Sequence, residues 1–327
     1  MSKMPTQTRI VKRKKRKLRK RAYFILIPLI LGFFSVVIYA SYLYIKADSV
    51  LSNSYEDDGM DKSALRESTV DPSVDNVSVL IMGVDSSDLR KNEDNARTDT
   101  LMVATLNKKD KSIKLVSIPR DSYVYIPEVG YESKINHAHA YGGTQATRET
   151  VERLLDIPID YYVKVNFEAF IEVVDAINGI TVDVPYELKE QNSKDKANAV
   201  HLLPGKQELN GEEALALART RKLDNDIERG KRQQEIIKAI VKKAISIDSV
   251  LKYDNILEAI GSNMTTNMTF SEMKSFIAYG TEGKRLNFET HTLEGADYHL
   301  NGTYYWQLDD TALSETQNML KRHLDIQ

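Results

Sequence analysis

The 327 residues contain no cysteine. A disulfide framework, a thiolate zinc site and a cysteine nucleophile are therefore excluded. Charge is missing in two further places. Residues 1–21 hold 11 Lys or Arg and no acid, and residues 22–45 (AYFILIPLILGFFSVVIYASYLYI) hold no charge at all. Beyond residue 21 the chain carries 34 basic and 47 acidic side chains, a net of −13 that the overall −2 conceals. No internal repeat is visible. A composition 42% hydrophobic and 28% charged fits an ordinary globular protein.

At about 1.5 Å per residue, a helix over residues 22–45 reaches roughly 36 Å, enough to cross a hydrocarbon core of about 30 Å. Pro28 and Gly32 are tolerated in such a helix. Tyr39, Tyr42 and Tyr44 gather at its far end, where an aromatic belt lies. The basic run Lys12–Arg21 precedes it, so the positive-inside rule puts residues 1–21 in the cytoplasm and everything after Lys46 outside. A cleaved signal peptide fits less well, because the apolar run is long and no small-residue cleavage pattern follows it. The same basic run is too short to be a folded nucleic-acid reader, and no nucleic-acid partner is expected.

Residues 46–75 are polar, rich in Ser and Asp, and read as an extracytoplasmic linker. From Asn76 apolar runs begin. Strands are expected at Val77–Gly83, Thr100–Leu106, Ile113–Ile118, Tyr161–Val165 and Ile180–Val184, then near 286–294 and 302–308. Helices are expected at Ala146–Leu155, Phe167–Ile177, Asn210–Ala218 and Arg229–Ser246, then near 250–262, 270–280 and at the C-terminus. Mixed strands and helices over about 250 residues predict one α/β domain with a central mixed β-sheet covered on both sides by helices. Residues 76–327 are read as this one ectodomain, with residues 247–327 as its C-terminal part.

An acidic ectodomain has no general reason to concentrate arginine, yet it does so beside acids at expected strand ends. These segments are Gly83-Val-Asp85, Arg97-Thr-Asp99-Thr, Ser117-Ile-Pro-Arg120-Asp121, and Arg219-Thr-Arg221 continuing through Asp224 and Asp226 to Arg229, Arg232 and Gln233. Strand ends of open α/β sheets are where ligands bind. Arginine grips phosphate oxygens bidentately, and aspartate oxygens suit Mg²⁺. The helix from Arg229 has an apolar stripe at Ile236, Ile237, Ile240 and Val241. Stepping back along that stripe reaches Gln233, Arg232 and Arg229, which therefore face inward at an N-terminus that already favours anions. Helix phase alone does not separate a phosphate from an internal ion pair, and Asp224 and Asp226 are available to neutralise Arg221 and Arg229. His137 and His139 share a face only on a strand, and no third ligand stands near them, so no zinc site is read there.

Together with Lys134-Ile-Asn136-His-Ala and Leu209-Asn-Gly211-x-x-Ala-Leu, these segments resemble the LytR-CpsA-Psr family of cell-wall glycopolymer ligases, in wording most like the wall teichoic acid branch. The likeness covers residues 76–246. It implies a phosphotransferase moving an anionic glycopolymer from an undecaprenyl-pyrophosphate carrier to the muramic acid 6-hydroxyl of peptidoglycan. Membrane lipid would be a further partner. In that reading Asp85 and Asp99 hold Mg²⁺ (or Mn²⁺), and Arg97, Arg120 and Asp121 serve the reacting phosphate, with Asp121 either the general base or the orienter of Arg120. Arg219, Arg221, Arg229, Arg232, Gln233 and Lys134 bind the pyrophosphate. Two alternatives stay open: an envelope regulator without catalysis, and a hydrolase of the same lipid donor.

Overall fold

Val77, Val79 and Ile81 alternate with Ser78, Leu80 and Met82, so both faces of the first strand are largely apolar, as a strand covered on both sides requires. The computed structural model describes residues 41–42, 45–46, 48–49, 54–57, 59, 62–84, 97–221, 225–245, 264–281 and 286–326. Its first elements are β1 (Val77–Val84), β2 (Thr98–Asn107), β3 (Ser112–Ser117), β4 (Tyr123–Ile126), β5 (Tyr131–Lys134), α1 (His137–Leu155), β6 (Tyr161–Val165) and α2 (Phe167–Ala176). Next come β7 (Ile180–Val184), β8 (Leu188–Glu190), β9 (Val200–Leu202), β10 (Gly205–Leu209), α3 (Gly211–Arg219) and α4 (Asp226–Ala244). The last are β11 (Met264–Thr266), α5 (Phe270–Thr281), β12 (Asn287–Thr292), β13 (Gly295–Leu300), β14 (Thr303–Leu308) and α6 (Asp310–Leu324).

The six-stranded central sheet has the order β11-β6-β1-β2-β3-β12. It is mixed: β1 runs parallel to β6 and β3 parallel to β12, while β2 is antiparallel to both its neighbours. Alternation splits the strand residues between two cores. Leu80, Met82, Leu101, Val103 and Val116 meet Val151 and Leu155 of α1 and Leu320 and Leu324 of α6. On the opposite face Met102, Ala104, Ile113 and Leu115 meet Tyr279 of α5 and Ile237 of α4. A separate cluster joins α2, α3 and α4 to the small strands β7 to β10. The α/β domain with a mixed sheet between helices is thus as expected.

Several local expectations change. Helix α1 begins nine residues earlier than its apolar period suggests, and Gly142 and Gly143 leave helical geometry within it, Gly143 at φ +63°. That break interrupts the period. The hairpins β4–β5 and β8–β9 and the strand β13 were not foreseen; they are short, with polar residues between apolar ones. Residues 1–21, nearly all of the 22–45 segment, Asp85 and the helix expected near 250–262 lie outside the described residues. Among the described residues no helix is long and apolar enough to cross a membrane.

Part of the segment read as a linker is tied to the domain. Tyr55 forms a parallel bridge with Thr266, and Ser63 is buried. Arg66 grips Asp160, with Nε 2.9 Å from Oδ1 and Nη2 2.7 Å from Oδ2. Asp160 is buried and also accepts from the Ser78 amide at 2.9 Å. Removing one partner of such a buried pair costs about 3–5 kcal/mol, because the other charge is left stranded.

The C-terminal helix is fixed by a buried histidine. His323 sits between the Thr105 hydroxyl (2.8 Å from Nδ1) and the Ser112 hydroxyl (2.8 Å from Nε2). Asn107 donates to its carbonyl at 2.8 Å. Burial, with the Lys114 charge adding to it, pushes the imidazole down to about 4. Because the folded protein resists protonation that the unfolded chain accepts near 6.5, stability falls as pH drops from about 6.5 towards 4, by a few kcal/mol at most. His137 and His291 are also pushed down by burial, so the diagnostic is a difference. Thermal melting of His323→Gln is expected to depend less on pH over that window than the wild type; equal slopes would refute the assignment.

Candidate active site

The C-terminal ends of β1 and β3 and the N-terminal end of β2 share one edge of the sheet, because β2 is antiparallel to both. At that edge the β1–β2 register slips: Gly83 opposes Thr100 but Val84 opposes Thr98, leaving Asp99 as the extra residue of a bulge. Bulges re-aim a side chain out of the pleat, and here the side chain is Asp99. After β3, Pro119 opens a turn in which the Ser122 amide (3.0 Å) and hydroxyl (2.6 Å) both donate to its carbonyl. Arg120 and Asp121 sit inside that turn. The Arg120 carbonyl accepts from Asn136 and the Asp121 carbonyl from Trp306.

Helix α4 delivers the second half. Its N-cap Asn225 accepts from the Glu228 amide at 3.0 Å, which starts the helix with Asp226 at its first position. Gly230 lets the helix approach β3 closely, since a Cβ there would lie 2.8 Å from the Ser117 hydroxyl. Arg229 and Arg232 are buried, as the phase of the apolar stripe requires.

These elements converge on carboxylates. Arg120 Nη1 donates to Asp99 Oδ1 at 2.7 Å. Its Nε is 3.6 Å from both Asp121 Oδ2 and Asp226 Oδ2. Asp226 Oδ1 lies 3.2 Å from Arg221 Nε and 3.4 Å from Arg229 Nη1. Arg229 Nη2 donates to the Asp99 carbonyl at 3.1 Å. Lys134 binds Asp121 at 2.7 Å. Burial raises the Asp226 carboxyl above its ordinary range; Arg221 and Arg120 oppose this, while neighbouring Asp121 adds to it. At 3.6 Å the Arg120 contacts are ion-pair distances rather than hydrogen bonds. The buried Nε groups of Arg120 and Arg229 meet no hydrogen-bond partner. Buried donors are nearly always satisfied, so two such donors at one edge suit an anion's oxygens.

Of the expected site residues, Asp99, Arg120, Asp121, Lys134, Arg221 and Arg229 form one contiguous network. Arg97 is exposed nearby, where its charge helps lower His137. The others face other work. Arg232 donates to the Leu217 carbonyl (3.2 Å) and the Thr220 carbonyl (2.6 Å), and Gln233 to the Ala218 carbonyl (3.1 Å). Both thereby satisfy the open end of α3. Arg219 lies 4.4 Å from the centre of the Phe167 ring.

In the sequence Asp226 stands out only as a neutraliser of arginines. It does pair with Arg221 and Arg229, but it also approaches Arg120 and Asp121, which makes it the centre of the cradle. Its signal in the sequence was the Asn-Asp step at a helix start. Tyr304 was not foreseen either; burial, its hydrogen bond to Asp297 and the charges of Asp297, Asp121 and Asp226 push its phenol up to about 12. Among the described residues, no three acids or histidines converge closely enough to hold a metal ion. Asp99, its carboxylate about one-third exposed and bonded to Arg120, is the described member of the expected metal pair.

Comparison with known proteins identifies the family of the folded chain. The LytR_cpsA_psr family model matches residues 41–322. The chain is 37% identical to the Bacillus subtilis polyisoprenyl-teichoic acid–peptidoglycan teichoic acid transferase TagT, over 96% of this chain and 98% of that one. It is 40% identical to TagU of the same organism, over 88% and 90% respectively. A solved structure of TagT bound to LIIa-WTA superposes with a TM-score of 0.71 at 38% identity, covering 81% of this chain and 97% of that one. TagT with bound octaprenyl pyrophosphate lipid gives 0.67 at 36%, covering 82% and 98%. With its arginines and aspartates gathered at one sheet edge and its family match spanning the folded domain, the chain belongs to the LytR-CpsA-Psr family.

Proposed function

We propose that this protein is a phosphotransferase that moves an anionic glycopolymer, wall teichoic acid, from a polyprenyl-pyrophosphate carrier to the muramic acid 6-hydroxyl of peptidoglycan. The observation that carries the proposal is the cradle of Arg120, Arg221 and Arg229, two of them with buried Nε donors that make no hydrogen bond. Relatives named as teichoic acid transferases, and a relative solved with octaprenyl pyrophosphate, support the choice of donor.

In this reaction the acceptor oxygen attacks the phosphorus next to the polymer's first sugar. The bridging P–O bond breaks, and polyprenyl phosphate departs with the bond's electrons. The proton lost by the hydroxyl has the Asp121–Asp226 carboxyl pair as its candidate acceptor. Phosphoryl transfer needs mainly positioning and charge neutralisation. Arg120, Arg221 and Arg229 supply both, with Arg97 at the rim. Asp121, held by Lys134, keeps Arg120 aimed. Asp99, together with Asp85, would hold Mg²⁺ or Mn²⁺; the hard, partly exposed carboxylate of Asp99 fits such a cation. A bound divalent ion would neutralise charge on the pyrophosphate oxygens.

Residues 22–45 would form a single membrane anchor, with residues 1–21 cytoplasmic and the α/β domain outside. The anchor would hold the domain at the membrane surface, where a lipid-linked donor resides.

The full-length chain, given a polyprenyl-pyrophosphate glycan donor, a peptidoglycan oligosaccharide and Mg²⁺, is expected to yield a joined phosphodiester by mass spectrometry. Arg120→Ala should lower that yield by about 100-fold or more. Its melting point should shift only a few degrees, since Asp121 keeps Lys134 and Asp226 keeps Arg221 and Arg229 as counter-charges. EDTA should abolish joining, and Mg²⁺ or Mn²⁺ restore it. Donor consumed without acceptor would favour hydrolysis, and full activity in Arg120→Ala would remove the cradle from the reaction. Arg232→Ala should behave differently. It strands the end carbonyls of α3 and should destabilise the fold by about 2–3 kcal/mol in chemical denaturation.

A further inference from the structure

Beside the arginine cradle lies a surface of opposite character. The β13–β14 hairpin is joined to the catalytic turn by a parallel bridge between Ser122 and Trp306 and by the Trp306 amide donating to the Asp121 carbonyl at 2.8 Å. Trp306 itself packs against the main core. The tyrosines around it make a cluster. Tyr305 lies 4.7 Å from Tyr123 and 6.4 Å from Tyr298 between ring centroids, and Tyr123 lies 5.8 Å from Tyr298. Tyr304, 36% exposed, stands edge-on to exposed His299 at 5.5 Å and donates to Asp297 at 3.0 Å. Lys134, which holds Asp121, is 5.8 Å from the Tyr304 ring and 5.7 Å from the Tyr305 ring.

We infer that this tyrosine hairpin is the platform for the acceptor glycan, binding uncharged pyranose rings so that a hydroxyl is presented to the cradle. Three features argue for a neutral saccharide. Residues 295–308 of the hairpin hold one acid, Asp297, and no lysine or arginine, so an anionic polymer or a pyrophosphate finds no cation of the hairpin's own to bind. Tyrosine couples a flat apolar face, suited to the C–H face of a sugar ring, to a polar rim. Asp297, bonded to the Tyr304 hydroxyl at that rim, is an acceptor of the kind that sugar hydroxyls use. A polyprenyl chain would need an apolar slot, whereas these rings carry hydroxyls and border carboxylates.

The inference rests on the proposed transferase reading for the identity of the glycan, but its test does not. Binding of a peptide-free peptidoglycan tetrasaccharide to the full-length chain is measured by calorimetry without donor, and binding of farnesyl pyrophosphate is measured separately. Tyr304→Ala and Tyr298→Ala should each weaken tetrasaccharide binding about ten-fold, the equivalent of roughly 1.4 kcal/mol. Tyr304→Phe, which keeps the ring, should stay within about two-fold of wild type, and farnesyl pyrophosphate should bind all three equally. In turnover the alanine variants should raise the acceptor KM far more than they lower kcat. Unchanged tetrasaccharide binding in both folded alanine variants overturns the inference, as does a loss of pyrophosphate binding in its place. Tetrasaccharide binding that depends on the tyrosines, in a protein that joins nothing, would uphold the platform and sink the transferase reading.

Discussion

A site built to hold a doubly charged diphosphate must keep its arginines together when the diphosphate is away. Two like charges 4 Å apart repel by about 4 kcal/mol at an effective dielectric of 20. Asp226 meets that constraint. From the first position of α4 it faces Arg221, Arg229 and Arg120 at 3.2 to 3.6 Å, and Asp99 takes the outer nitrogen of Arg120. Arg120 therefore lies among three carboxylates while its buried Nε remains without a hydrogen bond. Desolvation offsets much of what these largely buried pairs gain, so they add little net stability. In the proposed reaction their value would be that the guanidinium groups are already in place when charge develops on phosphorus, so that little reorganisation accompanies it. The same carboxylates limit how tightly any phosphate is held, which suits an enzyme that must release polyprenyl phosphate.

The cradle is only as fixed as the elements beneath it. Asn225 caps α4 and so sets where Asp226 begins. Gly230 lets the helix seat on β3 beside the turn that carries Arg120. Arg232 and Gln233 then close the end of α3, which ends in Arg219 and precedes Arg221. An inward-facing arginine one turn into a helix can satisfy either a ligand or a neighbouring helix end. In α4 Arg232 serves the helix end, while Arg229 turns to Asp226 and the Asp99 carbonyl at the proposed site.

That division explains how much was legible in the residues alone. Apolar alternation in β1, β2 and β3 marked the central sheet, because both faces of those strands are covered. The phase of Ile236, Ile237 and Ile240 showed correctly that Arg229 and Arg232 point inward. Phase reports burial and not partners, so the carbonyl clamp of Arg232 was invisible. Asp226 looked like a local counter-charge because its contacts to Arg120 and Asp121 span more than 100 residues of sequence. The bulge that turns Asp99 outward depends on register with β1 and has no signature within β2. Gly142 and Gly143 hid the first part of α1 by breaking its period. Strand β13 escaped because Gly295–Leu300 mixes Asp and His among its apolar residues and stands against a single partner strand.

A transferase faces a problem that a hydrolase does not, since it must admit a bulky second substrate and still outcompete water. One strongly basic surface cannot do both, because it would draw the anionic polymer across the acceptor's place. Here the two surfaces meet at Asp121. Its carboxylate touches Lys134 and Arg120 on the cradle side, and its backbone carbonyl accepts from Trp306 of the tyrosine hairpin. Lys134, packed near Tyr304 and Tyr305, links the two as well. A sugar stacked on the hairpin would stand with its hydroxyl beside the Asp121–Asp226 pair and shield the phosphorus from solvent on that side. Charge would then select the donor and aromatic surface the acceptor, with the turn at Arg120–Asp121 holding the two in register.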